Sequence, residues 1–218
     1  MQVVSGPMGR ERVHFRAPPA ERIDAEMAAF LKWFEAPDTK TDPVLKAAVA
    51  HIWFVTIHPF DDGNGRIARA IADLALARSE GTGQRFYSMS SRLRVERSEY
   101  YATLEATQKG DLDITVRLAW FLEVLDQALS DAEAALAAVI HKAKVWEHLA
   151  TRTINDRQRL MINRILDGFQ GKLTTTKWAR IAKCSQDTAL RDIEGLIAAG
   201  VLVKEPGGGR STSYALAL

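Results

Sequence analysis

The stretch His58-Pro-Phe-Asp-Asp-Gly-Asn-Gly-Arg-Ile-Ala-Arg69 separates two segments whose apolar residues recur at helical spacing. Before it, the apolar positions lie mostly three or four residues apart, which predicts a helix with one buried face. These positions are Leu45, Ala48, Val49, Ile52, Val55 and Ile57, and those after the stretch are Ile67, Ala70, Ile71, Leu74 and Ala75. The residues between the two segments are of the types that dominate turns. The sequence therefore predicts a helix, a short polar loop and a second helix.

A polar, glycine-rich turn that opens a helix is suited to binding an anion. The first N–H groups of a helix have no partners inside it, and the helix dipole adds partial positive charge there. Gly63 and Gly65 let the backbone come close to a ligand, because they lack a Cβ. Arg66 and Arg69 lie three residues apart, so both guanidinium groups can reach one phosphate chain. The loop therefore fits a phosphate-bearing ligand.

Two further residues of the stretch add the groups that a transfer reaction needs. The carboxylate of Asp62 suits magnesium, which proteins usually bind through one or two carboxylates together with substrate phosphates. Histidine changes its charge near neutral pH, so His58, at the end of the first helix, can take a proton from an attacking hydroxyl. A base, a metal ligand and phosphate-binding groups in one stretch indicate transfer of a phosphorus-containing group.

Simpler interpretations account for these residues one at a time. An ordinary turn explains the composition, and a single histidine at a helix end is commonly structural. An EF-hand loop needs Asp or Asn at its third position and Glu at its twelfth, where this chain has Gly63 and Ala72. A Walker-type loop needs Ser or Thr after Gly-Lys, and the pair Gly171-Lys172 is followed by Leu173. None of these interpretations explains the combination.

The stretch matches HxFx(D/E)GNGRxxR, the signature of Fic proteins, at every specified position, and the chain therefore resembles that family. Fic proteins are mostly adenylyltransferases, which move AMP from ATP to a hydroxyl group of a target protein. The resemblance implies ATP as co-substrate, Mg2+ as cofactor, and a protein partner that offers a Ser, Thr or Tyr hydroxyl. Family members that phosphorylate instead carry lysine at the second motif glycine, so Gly65 favours nucleotidyl transfer.

The resemblance also implies a role for each motif residue. His58 would be the base that deprotonates the target hydroxyl, Phe60 would pack into the core and fix the loop, and Asp62 would bind the magnesium. The remaining residues would bind the nucleotide phosphates: Gly63, Asn64 and Gly65 in the anion hole, and Arg66 and Arg69 at the terminal phosphates.

Residues 2 to about 16 are predicted to form a β-hairpin, because turn-forming glycine and proline at positions 6–9 precede a short strand-like run. In Fic proteins such a hairpin, the flap, pairs with an extended segment of the target. Strand addition of this kind relies on main-chain hydrogen bonds and makes little demand on the target's sequence. The resemblance implies that Arg12, Val13, His14 and Phe15 form the target-binding flap.

Further helices are predicted on both sides of the motif. Residues 21–34 have an apolar face, formed by Ile23, Met27, Phe30, Leu31 and Phe34. Asp42 fits a cap for the helix that ends near His58, and residues 81–83 end the helix that follows the motif. His51 is interpreted as a core or capping histidine.

Three helical segments then follow in the sequence. One begins at Ser98 and carries Tyr100 and Tyr101, which the family resemblance implies as adenine-lining residues. The others are expected over residues 113–129 and 131–149. Repeated alanines at 134, 135, 137 and 138 favour close helix packing, including packing against a second subunit in a homodimer.

The organisation changes after residue 150. Helices are expected over residues 157–169, 175–182 and 186–199, followed by a strand over 201–203 and a glycine-rich wing over 206–214. This order resembles a winged helix-turn-helix. The predicted fold is thus mainly α: a Fic catalytic domain over residues 1–150, with a helical core and an N-terminal β-hairpin flap, and a small winged helix-turn-helix domain over 151–218.

The C-terminal domain is a candidate for binding DNA. Basic residues that could contact phosphates are Lys177, Arg180, Lys183, Arg191, Lys204 and Arg210. The third helix also carries Asp187, Asp192 and Glu194, whose charge would repel a phosphate backbone. The alternative is a protein-interaction or dimerisation module, since the fold alone does not define the function.

Composition indicates the cellular compartment and the classes of partner to expect. Hydrophobic residues make up 47% of the chain and charged residues 26%, and the net charge is +2, which gives no general indication of nucleic-acid binding. Cys184 is the only cysteine, which excludes an internal disulfide. The sequence contains no apolar run near the ~20 residues of a membrane helix and no visible secretory signal. A cytoplasmic protein without a membrane partner is expected.

Fic proteins are commonly restrained by a helix with the pattern (S/T)xxxE(G/N), whose glutamate pairs with the second motif arginine, here Arg69. The sequence lacks this pattern: Glu194-Gly195 comes nearest, but Leu190 stands where Ser or Thr is required. The expectation is a chain truncated before the usual upstream inhibitory segment, and therefore a de-inhibited enzyme. Two alternatives stay open: transfer of a different nucleotide, and a DNA-binding regulator in which the Fic part is a sensor or toxin.

Overall fold

A computed structural model describes residues 2–7, 10, 12–37, 40–111, 113–206 and 212–217. The chain divides into an N-terminal unit, Met1–Glu133, and a C-terminal unit, Ala134–Leu218. The sequence instead predicted a division after residue 150. The boundary lies inside a long helix, whose last turns carry Val145 and Leu149 into the core of the C-terminal unit.

The N-terminal unit begins with an antiparallel hairpin, β1 (Gln2–Ser5) and β2 (Arg12–Arg16), as the sequence predicted. Helices α1 (Ala20–Glu35), α2 (Pro43–Ile57) and α3 (Asn64–Glu80) follow. Then come α4 (Met89–Val95), α5 (Arg97–Lys109) and the first part of α6 (Thr115–Leu149). The prediction of a mainly helical fold with an N-terminal hairpin is confirmed.

Helix α2 forms the centre of the N-terminal unit. Its start is well defined, because Pro43 occupies the first turn and the Asp42 carboxylate accepts hydrogen bonds from the backbone N–H groups of Val44 and Leu45, at 2.8 and 3.1 Å. Residues around most of its circumference are buried, as in a helix that other helices cover. They pack with Phe30 and Phe34 of α1 in one continuous core. The buried helix holds its C-terminal end, which leads into the motif, in a defined position.

Several elements differ from the sequence prediction. Residues 113–129 and 131–149 were expected to be two helices, but α6 is continuous over Thr115–Leu149. The pair Ser130-Asp131 has the chemistry of a helix cap, yet the segment contains no Gly or Pro to interrupt its backbone hydrogen bonds. The short helix α4 was missed. Leu31, expected on the buried face of α1, is 50% exposed.

The C-terminal unit continues with α7 (Asp156–Leu166), β3 (Leu173–Thr174), α8 (Thr175–Ile181) and α9 (Gln186–Ala198). It ends with β4 (Leu202–Lys204) and β5 (Ser213–Leu216), which form an antiparallel sheet with β3 in the order β3-β5-β4. The three helices agree with the predicted segments to within a few residues, and β3 was not predicted. The wing, with Arg210, falls partly outside the described residues, so the winged helix-turn-helix assignment stays a prediction.

Candidate active site

His58 lies where α2 ends, and its backbone leaves the helix abruptly. The residue adopts a left-handed conformation, with φ 53° and ψ 55°, while its N–H still bonds to the carbonyl of Phe54. Pro59 disfavours helical backbone in the residue before it, which accounts for the helix ending here. The conformation is uncommon for a residue with a Cβ, and such strain is found chiefly at functional sites.

The imidazole of His58 is oriented by its own helix. Nδ1 lies 3.2 Å from the carbonyl oxygen of Val55. Because a carbonyl oxygen only accepts hydrogen bonds, Nδ1 must carry the proton in this contact. In the neutral ring Nε2 then has a free lone pair. The half-buried ring therefore presents the nitrogen that a general base requires.

Asn64 holds the loop between α2 and α3. Its side chain accepts a hydrogen bond from the Phe60 N–H at 3.0 Å and donates one to the Phe60 carbonyl at 2.5 Å. The residue is 2% exposed, so this amide closes the loop against its own backbone. The sequence prediction assigned Asn64 to an anion hole. The structure leaves only its backbone N–H for that role.

The N-terminus of α3 is free of side-chain caps from the described residues. Gly63, the residue before the helix, has φ 89°, which glycine adopts without the steric cost of a Cβ. A Cβ added at Gly65 would meet only Arg69 Nη1, at an ordinary contact distance of 3.8 Å. The fold thus explains glycine at position 63 but not at 65. Close approach of a ligand to the helix N-terminus would explain the second.

Asp62 and Arg66 form an exposed ion pair across the first turn of α3. Arg66 Nη2 lies 2.8 Å from Asp62 Oδ2, and the Gly63 N–H donates to Oδ1 at 2.6 Å. The two side chains are 91% and 71% exposed. The predicted metal ligand and the predicted phosphate ligand therefore contact each other. Both are free to exchange partners, because an exposed pair of this kind contributes little stability.

Asp62 by itself fits a metal ion that arrives with its substrate. Among the described residues, no group of three or more His, Cys, Asp or Glu side chains could hold a metal ion. Magnesium needs no such group when phosphates supply the remaining ligands. The exposed carboxylate of Asp62, beside an uncapped helix N-terminus, is consistent with that kind of binding.

Arg69 lies near three buried side chains that contact one another, those of His51, Tyr100 and Arg117. Burial, with the charges of Arg117 and Arg69, lowers the pKa of His51 to about 3, so the ring is neutral. Its Nε2 lies 3.4 Å from the Tyr100 hydroxyl. Burial lowers the pKa of Arg117 to about 10, although the guanidinium donates to the Tyr100 carbonyl and to Thr103. The prediction that His51 is a core histidine agrees with this placement.

Three other predicted residues occupy distinct environments. Phe60 was expected in the core but is 48% exposed, which contradicts that prediction. Its loop is held by the Asn64 amide instead, so the ring is not needed as an anchor. Tyr100 is 5% exposed and packs on Trp120 within the core, whereas Tyr101 is 52% exposed. Of the two tyrosines predicted to line an adenine pocket, only Tyr101 is substantially exposed.

The flap contacts α5 through a residue that the sequence prediction missed. Glu105 accepts hydrogen bonds from Arg12 Nη2 at 2.9 Å and His14 Nδ1 at 2.6 Å, and from Lys109 Nζ at 2.6 Å. Bonds from Lys109, His14 and Arg12 lower the pKa of Glu105 to about 2. The spacing of Glu105 and Lys109 reveals only a local helix pair. Nothing in the sequence connects Glu105 with residues 12–14.

Residues 3–76, which include β1, β2 and the motif, match the model of the Fic/DOC family. These residues are about a third of the chain. The match supports a Fic-type domain in the N-terminal unit.

Similar curated proteins are named as adenylyltransferases. "Protein adenylyltransferase fic-1" of Caenorhabditis elegans is 37% identical over 98 residues, which are 44% of this chain and 18% of that protein. "Protein adenylyltransferase Fic" of Nematostella vectensis is 35% identical over 102 residues, or 46% and 22% of the two chains. The aligned part thus spans about a fifth of these relatives. They support protein adenylylation at the level of the family.

A solved structure resembles the chain over most of its length. It is a Fic family protein from Desulfovibrio desulfuricans G20, with a TM-score of 0.51, 21% identity, and coverage of 96% of this chain and 58% of that one. At this identity the similarity concerns the fold alone. Separately, none of the helices in the described part of this chain is long and apolar enough to span a membrane.

Proposed function

We propose that the N-terminal unit is a protein adenylyltransferase that moves AMP from ATP to a Ser, Thr or Tyr hydroxyl of a target protein. The observation that carries the proposal is the placement of His58. Its Nδ1 is bound to Val55 O, which leaves Nε2 as the basic nitrogen, and the uncapped N-terminus of α3 follows after a short loop. A candidate base and a candidate anion site thus lie at the two ends of one short loop, and the similar proteins are named for this reaction.

The chemistry follows from these groups. The hydroxyl oxygen of the target attacks the α-phosphorus of ATP, its proton passes to His58 Nε2, and the bond between the α-phosphorus and the bridging oxygen breaks. Pyrophosphate leaves, and AMP stays on the target. The backbone N–H groups of Asn64, Gly65 and Arg66 offer hydrogen bonds to phosphate oxygens, whose negative charge the helix dipole also favours.

Arg66 and Asp62 would change partners when the nucleotide binds. In the structure they contact each other and are mostly exposed. Phosphate oxygens can replace Asp62 as the acceptor for Arg66, and the released carboxylate would then hold Mg2+ with the phosphates. Bound Mg2+ would neutralise phosphate charge. Arg69, half-buried beside His51, would hold the terminal phosphates from a more fixed position.

The hairpin is proposed to bind the target. Within the described sheet β2 pairs only with β1, so its other edge can accept an extended segment of another protein. Arg12, Val13, His14 and Phe15 form this edge strand. Within the described ranges no carboxylate forms an ion pair with Arg69, so we expect transfer by this chain without prior release of an inhibitory glutamate.

The test compares this chain with His58→Ala in a cell lysate that contains magnesium and α-labelled ATP. The proposal requires label on proteins, or on the chain itself, that His58→Ala lowers by about 100-fold or more. Thermal unfolding of both chains checks that the variant is folded. Transfer of label from γ-labelled ATP would indicate phosphorylation, and label from α-labelled GTP, CTP or UTP would reveal another nucleotide donor. Equal labelling by both chains contradicts the proposed role of His58.

One observation favours a second function, DNA binding by the C-terminal unit as a winged helix-turn-helix. Of the acidic residues that argued against it, Asp192 is 5% exposed and accepts hydrogen bonds from Arg157, so it presents little charge to solvent. A cavity of about 650 Å3 in this unit is lined in part by Arg164, Lys177 and Arg180. A gel shift that weakens steeply with salt would support this function.

A further inference from the structure

The flap and the catalytic histidine are tied to the same helix. On β2, Arg12 and His14 are two residues apart, so their side chains project to the same face of the strand. Both donate to the one carboxylate of Glu105 on α5, at 2.9 and 2.6 Å. Glu105 is 19% exposed, which places these contacts partly out of water. Strand β2 is thereby joined to α5 at two points.

One turn further along α5, a second contact reaches the end of α2. Gln108 Nε2 donates to Thr56 Oγ1 at 3.1 Å, and Thr56 precedes His58 by two residues. Glu105 and Gln108 are three residues apart and therefore lie on one face of the helix. A single turn of α5 thus contacts the flap on one side and the approach to His58 on the other.

Two cationic side chains, Arg12 and Lys109, and the His14 ring hold the Glu105 carboxylate. Lys109, from the same helix, His14 and Arg12 all donate to the carboxylate and hold its pKa at about 2, so Glu105 stays ionised at physiological pH. Of the three donors, two belong to the flap and one does not. Hydrogen bonds to charged groups are shorter and stronger than neutral ones, which suits them to fix the position of an edge strand.

We propose that α5, through Glu105 and Gln108, fixes the position of β2 relative to His58. The helix thereby sets where a target strand bound to the flap places its hydroxyl. This inference rests on the proposed adenylyl transfer. Glu105 is not among the groups proposed to bind the nucleotide or to take the proton, and it is therefore a positioning residue. The partner it serves is an extended protein segment, bound by main-chain hydrogen bonds along β2.

The experiment uses the full chain with Glu105→Gln, Gln108→Ala and the double variant. Lys109→Ala is the matched control, because it removes a donor to the same carboxylate from within α5. Label transfer from α-labelled ATP is measured against lysate concentration and against ATP concentration. Backbone hydrogen exchange over residues 12–16 is measured without lysate or ATP.

Glu105→Gln is expected to raise the half-saturating lysate concentration about tenfold, with the half-saturating ATP concentration unchanged and exchange in β2 faster. Glu105→Asp, which keeps the charge, should recover part of the loss, and Lys109→Ala should stay within about twofold of the unaltered chain. Gln108→Ala should cost about threefold. Because both residues act on one distance, the double variant should cost about tenfold and not thirtyfold.

The inference is overturned if Glu105→Gln behaves as Lys109→Ala does, if it weakens ATP and lysate saturation equally, or if the losses of the two variants multiply. Absence of label with the unaltered chain would instead reject the proposed transfer. In that case the exchange measurement still tests whether Glu105 fixes the position of β2. Faster exchange in β2 with Glu105→Gln, but not with the control Lys109→Ala, supports this positioning role, and unchanged exchange rejects it.

Discussion

The two units each contain an aspartate bound to an arginine at similar distances, in very different surroundings. Asp62, in the loop before α3, and Arg66, in the first turn of α3, are 2.8 Å apart, and the two side chains are 91% and 71% exposed. Asp192 accepts from Arg157 at 2.7 and 3.0 Å across 35 residues of sequence, and its side chain is 5% exposed. The first pair is local and open to water. The second joins two helices and is shielded.

Burial decides what each pair can do. Burial by itself would raise the pKa of Asp192, but the hydrogen bonds from Arg157 and Asn155 outweigh it and hold that pKa below its ordinary value. Asn155 also caps α7 through a capping box with Gln158, so this carboxylate stabilises a helix start as well. Asp62 has no comparable surroundings, and its pair can open for a ligand. Identical chemical groups therefore serve structure in one unit and are available for function in the other.

The largest expected effect is on transfer by Asp62→Ala. Loss of the only motif carboxylate proposed to hold magnesium should lower the rate of label transfer about 100- to 1,000-fold. Thermal unfolding should hardly change, because the side chain is exposed. Asp61→Ala, at the neighbouring exposed residue, is the control and should keep most of the activity. A variant of Asp62 that transfers normally would break the contrast between the two pairs.

Asp192→Ala should show the opposite pattern. It removes the acceptor for Arg157 and Asn155 inside the C-terminal unit, and we expect a loss of about 2–3 kcal/mol in the free energy of unfolding, since Arg157 is partly exposed. Urea denaturation measures this loss, and ATP binding should be unchanged. Glu194→Ala, on an exposed face of the same helix, is the control. Equal stability of the two variants would show that Asp192 is not a structural link.

Asn64→Ala should combine both kinds of effect on a smaller scale. Loss of its two bonds to Phe60 should cost about 1–2 kcal/mol of stability and lower transfer about tenfold, because the loop then no longer orients the anion site.

Phe60→Ala tests whether the Phe60 ring, expected from the sequence to fix the loop, contributes to its stability. A half-exposed ring should cost less than about 1.5 kcal/mol, whereas a ring buried in the core would cost about 3–5 kcal/mol.

His51 contributes a pH dependence of stability that is small near neutral pH and grows as the pH falls. Its pKa in the folded chain is about 3, against 6.5 for the free side chain, so the unfolded chain binds the proton more readily between these values. Its contribution is therefore complete above pH 6.5 and decreases as the pH falls toward 3, by up to about 1.4 kcal/mol per pH unit. Denaturation of the unaltered chain and of His51→Gln at pH 5, 6 and 7 measures it. Parallel curves would contradict the buried, neutral ring.

Much of the fold was predictable because its signals are local. Asp42 and Pro43 mark the start of α2, Gly81 marks the end of α3, and hydrophobic spacing indicates the helices between such points. The continuous α6 was predicted as two helices, because Ser130 and Asp131 carry a local signal that the rest of the helix overrides. The prediction that Phe60 lies in the core was also wrong, since the sequence does not show that Asn64 already closes the loop.

The sequence by itself determined the chemical groups of the site. Their order along residues 58–69 places an imidazole, two carboxylates, two glycines and two arginines on a helix end, a loop and a helix start, where neighbours in sequence are neighbours in space. Only the tertiary structure decided which atoms of these groups are free. The contact of Val55 with His58 selects the basic nitrogen, Asp62 and Arg66 occupy each other, and Glu105 meets a strand about 90 residues earlier in the chain. The last of these contacts depends on packing between distant segments, and local sequence carries no record of that packing.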